Sequence, residues 1–404
     1  MRILAVIKSG RAYNSLWLVY ASFFCFQLPV HATQPIVSLY LAQQGAEPGL
    51  IGLVLAIAGS VSLFMAAPLG RMSDIIDTHL QVLIGCLVCI FAFAGLSQVT
   101  SLFGISVFLA LIMFGHTATV LAYQSSVGSN GMVAERVQAF GWLAAAISVA
   151  QSIGPPAAGI IVDKFGIATA FLASAIVAGM SLLGVPILRA RAPKNNPRTE
   201  NGSKESIAWR KNRGLLYALG SSFLSSLSLN IRLSFLPLYL AGAGSTMTQI
   251  GFLFSIQAVA SLAIRSQIGP LTGRLGMNRM IIAVFALSAL SLAAVPFSAS
   301  LIAFALISVM VGIANGIVHP LTMAVATESV HFNNQGMALG LRYAAFRLGN
   351  TISPLVLGLA ANIGGLAAAF IAASSLSLVG AIGSFVNMID GDRRPGKGMD
   401  LKNG

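Results

Sequence analysis

Residues 68–80 read PLGRMSDIIDTHL, and residues 267–279 read QIGPLTGRLGMNR. Each is a short polar stretch between two long apolar runs, and each is incomplete where the other is not. The first has Gly70, Met72, Ser73 and Asp74; the second has Gly269, Leu271, Thr272, Arg274, Gly276 and Arg279. Where the first keeps Asp74 the second has Gly273, and where the second keeps Arg274 and Gly276 the first has Ile75 and Asp77. Superposed, they spell G-x-[LM]-[ST]-D-R-x-G. The same offset of 199 residues sets Leu39, Tyr40, Leu41 and Ala42 against Leu238, Tyr239, Leu240 and Ala241, and Gly52 against Gly251. It also sets Gly141, Pro155, Gly159, Gly166 and Phe171 against Gly340, Pro354, Gly358, Gly365 and Phe370. Apolar coincidences are cheap in a greasy chain, but Gly, Pro and Tyr at one fixed offset are not. The chain therefore reads as a duplicated half.

Composition sets the class. Of 404 residues, 56% are hydrophobic and only 9% charged, whereas soluble domains carry roughly 25% charged residues. The apolar runs are about 20 residues long, the length a helix needs to cross about 30 Å of hydrocarbon. Twelve spans are expected, at roughly 14–41, 50–70, 79–98, 102–124, 138–161, 166–189, 214–240, 249–268, 279–298, 301–326, 338–360 and 366–389. The expected fold is an all-α polytopic membrane protein, its twelve transmembrane helices forming two pseudo-symmetric six-helix bundles. The bundles are residues 1–189 and 214–404, the second with a short tail, joined by a basic linker at 190–213. The first apolar run, from about Ser15 to Leu41, is too long for a cleaved signal peptide.

The net charge of +13 is distributed as a membrane protein requires, which argues against a nucleic-acid partner. With the N-terminus inside, Lys164 is the lone basic residue in the short outer turns. Arg232, Arg265, Arg342 and Arg347 fall within spans, and the other Lys and Arg face the cytoplasm or its edge. This positive-inside bias places both termini in the cytoplasm and the protein in the plasma (inner) membrane. Cys86 and Cys89 form a C-x-x-C on one membrane helix with no nearby His or second pair; with Cys25 they read as small buried residues. No metal and no cofactor is expected.

On these residues the chain resembles the major facilitator superfamily, whose loop between helices 2 and 3 carries G-x-L-a-D-R-x-G-R-K and recurs between helices 8 and 9. A second stretch, Gly141-x8-Ala150-x3-Gly154-Pro155-x2-Ala158-Gly159, is similar to the G-x8-G-x3-G-P-x2-G-G of that family's drug and metabolite exporters. The exporter group's R-x-x-Q-G in span 4 is not matched: Leu111, Ile112, Met113, Phe114 and Gly115 stand there. The resemblance implies alternating access around a central cavity lined by spans 1, 4, 7 and 10. It also implies a gating set at Gly70, Asp74, Gly154, Pro155, Gly269, Arg274 and Arg342, with Asp74 facing the start of span 11.

Polar stripes occur on the four implied helices. Span 1 has Gln27, His31, Gln34 and Ser38 on one face; span 4 has His116, Thr119 and Tyr123. Span 7 has Ser221, Ser225, Ser228 and Arg232, with Asn230 nearby; span 10 has Asn315, His319 and Thr322. Polar groups in lipid must face protein or water. Substrate contacts are therefore expected at Gln27, His31, His116, Asn230, Arg232, Asn315, His319 and Arg347. All 11 acidic residues fall in loops, tails or span ends, so the embedded charges are cationic. Arg232 and Arg347 are read as deep, and Arg265 and Arg342 as near cytoplasmic ends where a long stem snorkels. A cavity with Arg and His but no acid favours an anionic or amphiphilic small molecule, with His31, His116 and His319 as candidate carriers of coupled protons. The leading reading is a secondary exporter of antiporter form; the alternatives are an ion-coupled importer of an organic anion and, remotely, a receptor or polytopic enzyme. No H-E-x-x-H, P-loop or G-x-S-x-G is present.

Overall fold

The computed structural model describes residues 2–128, 133–191, 212–331 and 334–392; some side chains within these, Ser73, Asp74 and Ile75 among them, lie outside the description. All regular structure among the described residues is helical. The first half comprises α1 (Arg2–Gln43), α2 (Pro48–Ile75), α3 (Thr78–Leu96), α4 (Leu102–Gly128), α5 (Val133–Phe165), α6 (Ile167–Met180) and α7 (Val185–Arg191). The second comprises α8 (Arg213–Leu229), α9 (Ile231–Ser234), α10 (Leu236–Gly242), α11 (Met247–Arg265), α12 (Ile268–Leu275), α13 (Met277–Ala294), α14 (Leu301–Glu328) and α15 (Gln335–Asp392). Among the described residues ten helical stretches are long and apolar enough to cross a membrane, Arg213–Gly242 counted as one. The last of these, Met337–Ile389, is two spans joined at Gly364 and Gly365, whose backbone is non-helical. With α1 carrying the first span, all twelve spans read from the sequence are present as helices.

Local chemistry places the ends. Pro48 opens α2, where its missing N–H costs nothing. The Asn212 side chain accepts from Leu215 N at 3.0 Å and caps α8, and Ser300 accepts from Ala303 N at 3.2 Å to cap α14. Large apolar side chains point outward, with Ile363 90%, Phe297 82% and Phe103 81% exposed. A water-facing surface would not carry so many, and a lipid-facing one does. Phe23, Phe26, Phe93, Tyr123 and Phe171 fill the interior of the first half, and Phe285 and Phe370 that of the second.

Two expectations need correcting. The seventh span, read as one helix over 214–240, is broken at Asn230 and again at Phe235 into α8, α9 and α10. Pro237, in the first turn of α10, has no N–H to bond the preceding turn, which favours the break at Phe235. The stretch 68–80, read as a loop, is mostly helix: α2 runs to Ile75 and only Ile76 and Asp77 separate it from α3. In the second copy the chain breaks at Ser266 and Gln267, and α12 forms as a separate short helix.

The duplication is visible in the backbone. Positive φ occurs at Gly45 (81°) and Gly244 (85°), and at Gly166 (86°) and Gly365 (74°), two pairs at the 199-residue offset. The fifth such glycine, Gly276 (79°), corresponds to Asp77, which sits at φ −52°. The first copy can carry Asp there because its chain turns without entering the glycine region. Packing repeats as well. An added Cβ at Gly154 would lie 3.1 Å from Leu28 O; at the equivalent positions Ser353 Oγ donates to Leu227 O at 2.6 Å.

By packing, the chain divides into two compact units. One holds Met1–Gly202 with Leu233–Ala258; the other holds Ser203–Arg232 with Val259–Gly404. The segment Leu233–Ala258 thus belongs structurally with the first unit although its sequence repeats the first half.

Candidate functional site

In the first unit, α1 and α4 bring two of the expected residues together. His116 Nε2 lies 2.9 Å from Gln27 Oε1. An amide oxygen only accepts, so this ring nitrogen carries the proton. Phe26 stacks on His116, with ring centroids 6.0 Å apart and planes 10° apart. His31, one turn on from Gln27, is 8% exposed and its Nδ1 lies 3.4 Å from Gln34 Oε1. Tyr123 faces elsewhere: it is fully buried, its hydroxyl 2.5 Å from Ser22 Oγ, which donates to Ser181 O at 2.6 Å. Tyr123 is thus part of the packed interior. Cys86 and Cys89 pack likewise, Cys86 Sγ 3.2 Å from Ser181 Oγ and Cys89 against Ile112 O.

In the second unit, Asn230 Nδ2 donates to Asn350 O at 2.9 Å, tying the break after α8 to α15. Arg232 is largely buried in the one-turn helix α9. Ser225, Ser226 and Ser228 donate to carbonyls of their own helix, which satisfies them locally. On α14, Asn315 and His319 are part-buried. The His319 ring meets Phe346 edge-on at 4.6 Å.

The arginines of α15 differ in burial. Arg342, expected to snorkel, is 6% exposed, and its Nη1 donates to Thr322 Oγ1 of α14 at 3.2 Å. It lies about 10 Å along the helix from Gln335. Its Nε is buried without a hydrogen-bond partner. Arg347 is part-buried; its Nε donates to Tyr343 Oη at 2.8 Å and its guanidinium lies 5.2 Å from that ring's centre. Sequence periodicity had no means of ranking the two, because burial depends on which helix lies opposite.

Of the gating set, Gly70 and Gly269 have open space where a Cβ would stand, as does Gly273 at the position matching Asp74. Arg274 is exposed on α12, and the Asp74 side chain lies outside the described residues. Gly154 packs closely on Ala32 and Leu28 of α1. Pro155 lies against Gly251: a Cβ on Gly251 would fall 2.5 Å from Pro155 O, and one on Gly159 2.3 Å from Met247 O. Ser255 Oγ donates to Ser152 O in the same contact. This close packing of α5 on α11, within the first unit, is completed by Asp163, which sequence reading missed. Asp163 follows Gly159 by four residues and shares its helix face, which was the available signal. An apolar crevice of about 70 Å³ opens beside Gly154, between α1, α5 and α6, away from the polar residues above. Among the described residues no group of three or more His, Cys, Asp or Glu is placed to hold a metal.

The sequence profile of the Major Facilitator Superfamily matches residues 19–241 and 218–400, once per half. The chain belongs to the major facilitator superfamily. An MFS-type transporter of Methanocaldococcus jannaschii, described as uncharacterised, is 21% identical over 400 residues, spanning 94% of this chain and 99% of its own. Among solved structures, a peptide transporter in complex with sulfate superposes with a TM-score of 0.79 at 14% identity, over 94% of this chain and 95% of its own. The nucleoside transporter NupG gives 0.73 at 15% identity, over 93% and 99%. A bacterial homologue of the human lysosomal transporter Spinster, inward-facing and unoccupied, gives 0.74 at 13% identity, over 95% and 99%. At such identities these likenesses establish the fold alone. This major facilitator is a multi-pass membrane transporter of a small-molecule substrate.

Proposed function

We propose that this chain is a secondary active transporter that works by alternating access and exports an anionic or amphiphilic drug or metabolite. In this reading it spans the plasma (inner) membrane with both termini in the cytoplasm. Residues 1–189 and 214–404 are the rocking bundles and 190–213 the linker. Gln27, His31, His116, Asn230, Arg232, Asn315, His319 and Arg347 contact substrate. Gly70, Asp74, Gly154, Pro155, Gly269, Arg274 and Arg342 serve the gates.

The observation that carries the charge preference is Arg342, buried about two turns into α15 with Thr322 as a neutral partner and its Nε unsatisfied. A guanidinium inside the bilayer costs about 2.5–3.5 kcal/mol on insertion scales, and a negative substrate offsets that cost. Export is favoured over import by the membrane potential: moving one negative charge inward against 100 mV costs about 2.3 kcal/mol. Antiport against protons would use His31, His116 and His319, which titrate near physiological pH in water.

The test is counterflow in everted vesicles with a panel of anionic and cationic solutes, with and without a pH gradient. Uptake of an anion into everted vesicles, stimulated by an inward-acid gradient, is the expected result. Preferential uptake of cations ends the anion reading. Anion uptake seen only in right-side-out vesicles reverses the direction.

A further inference from the structure

The two copies of the polar stretch fold differently. In the first, α2 runs unbroken to Ile75, and Leu69 near its end is buried, its carbonyl accepting from Gln81 Nε2 at 3.1 Å. In the second, the chain breaks at Ser266 and Gln267, and the counterparts of those last turns form the separate helix α12, with no residue buried. Ile268, Leu271, Thr272 and Leu275 fall at i, i+3, i+4 and i+7 and share one face. Ile268, Leu271 and Thr272 are half-buried, and Thr272 Oγ1 lies 3.3 Å from Met280 Sδ of α13. Leu275, at the end of the same face, is 47% exposed. Arg274 beside it and Arg279 in the first turn of α13 are also exposed. The chain turns at Gly276, φ 79°, so both arginines stand within one helical turn of a single corner.

That corner stands at a face of the bilayer, because it joins α11 to α13 and both are long and apolar enough to cross it. Its charge is uncompensated. No Asp or Glu occurs between Glu205 and Glu328, so α8 to α13 supply no carboxylate. Among the described residues neither Arg274 nor Arg279 has an ion-pair partner. The corresponding corner of the first half carries its own acids, Arg71 being followed by Asp74 and Asp77. A bare leucine flanked by two unpaired cations at a bilayer face matches the chemistry of a phospholipid, which offers acyl carbons and a phosphate side by side. A soluble anion would answer the arginines and leave the leucine in water.

We infer that α12 and the first turn of α13 form a docking surface for an anionic phospholipid, with Leu275 at the acyl boundary and Arg274 and Arg279 on the headgroup. Each exposed cation near a bilayer adds attraction to negative headgroups, so a net anionic lipid is held in preference to a zwitterionic one. The surface belongs to the second half; the first, with its acids and its buried Leu69, has no equivalent. In the orientation proposed above it faces the cytoplasmic leaflet, and Arg274, placed among the gates, contacts lipid there. The surface is independent of the substrate and of the direction of transport.

Leu275→Trp in the full-length protein, reconstituted in vesicles at low salt, reports the contact directly. Quenching of its fluorescence, taken by difference from the parent protein, is compared for brominated phosphatidylglycerol and brominated phosphatidylcholine. Phosphatidylglycerol should be preferred, and Arg274→Gln and Arg279→Gln should each lower that preference about fivefold. High salt should remove most of it. Arg274→Lys and Arg279→Lys, which keep a point charge, should retain it. Arg71→Gln, in the first copy, should leave it untouched. Equal quenching by the two lipids, or a preference that survives Arg274→Gln and Arg279→Gln together, overturns the docking surface. A preference lost equally in Arg71→Gln would reduce it to the general attraction of a basic face, and one abolished by excess glycerol phosphate would make it a soluble-anion site; either result also overturns it. No quenching of Leu275→Trp by either lipid would place α12 clear of the bilayer and end the proposal.

Discussion

Asp163 caps the helix that Thr248 helps to begin. Its Oδ1 accepts from Met247 N at 3.0 Å, and its Oδ2 accepts from Thr248 N at 2.8 Å and Thr248 Oγ1 at 2.6 Å. The two remaining N–H groups of that turn are met within α11 itself: Thr246 N donates to Gln249 Oε1 at 3.0 Å and Gln249 N to Thr246 Oγ1 at 3.2 Å. This is a reciprocal capping box. Every free N–H of the first turn of α11 is therefore satisfied, half of them by a carboxylate from α5, where the helix dipole favours negative charge.

Removing the cap should loosen that contact. Asp163→Ala should weaken it by about 1 kcal/mol, the usual worth of a helix cap, and raise the open population about fivefold. Asp163→Asn, which keeps one acceptor oxygen, should fall between. The reporter is the thiol-labelling rate of Ser255→Cys in detergent, on a background without Cys25, Cys86 and Cys89. An unchanged rate in Asp163→Ala would show that the packing alone holds α5 to α11.

Steric contact at the same place gives a second, independent lever. Gly159→Ala and Gly251→Ala would each push a methyl group against backbone that cannot yield, at a cost of about 1–3 kcal/mol. Both should speed labelling of Ser255→Cys more than Asp163→Asn does. Gly70→Ala and Gly269→Ala meet open space and should leave the melting temperature unchanged or raise it, since Ala is the better helix former by about 1 kcal/mol. A melting temperature lowered equally in all four would remove the distinction.

The asymmetry between the two copies of the polar stretch predicts opposite tolerances. Gly276 sits at φ 79° and ψ 154°, a region essentially closed to other residues, so Gly276→Asp should destabilise by about 1–3 kcal/mol. Asp77→Gly, at φ −52° and with no side-chain capping bond to lose, meets no such barrier and should cost well under about 1 kcal/mol. Thermal unfolding of the two variants side by side decides it; equal losses would contradict the backbone assignment.

Gln27 and His116 should behave as a unit. Removing one partner of a hydrogen bond at least part-buried costs about 1–3 kcal/mol, while replacing both with Leu removes both polar groups. A double-mutant cycle of Gln27→Leu and His116→Leu should give a coupling of about 1 kcal/mol in thermal stability. Additive losses would mean that the 2.9 Å contact contributes nothing of its own.

What the sequence determined by itself is the fold. Bilayer hydrocarbon leaves the backbone no partner but its own helix, so apolar runs of the right length must be helices. A fixed offset of Gly, Pro and Tyr then declares two copies of one six-helix plan. Turn glycines such as Gly166 and Gly365 were legible for the same reason, since their role is local. What only the tertiary structure decided is which polar group meets which. Arg342 and Arg347 are five residues apart on one helix and look alike in sequence, yet one is buried against Thr322 and the other lies on Tyr343. Tyr123 and His116 share a stripe on α4, yet only His116 meets a polar side chain of the α1 stripe. Periodicity fixes a side chain's angle around its own helix. Its burial and its partners are set by the helix packed opposite, and in a membrane that packing follows from small residues such as Gly154, Gly159 and Gly251, whose partners lie far away along the chain.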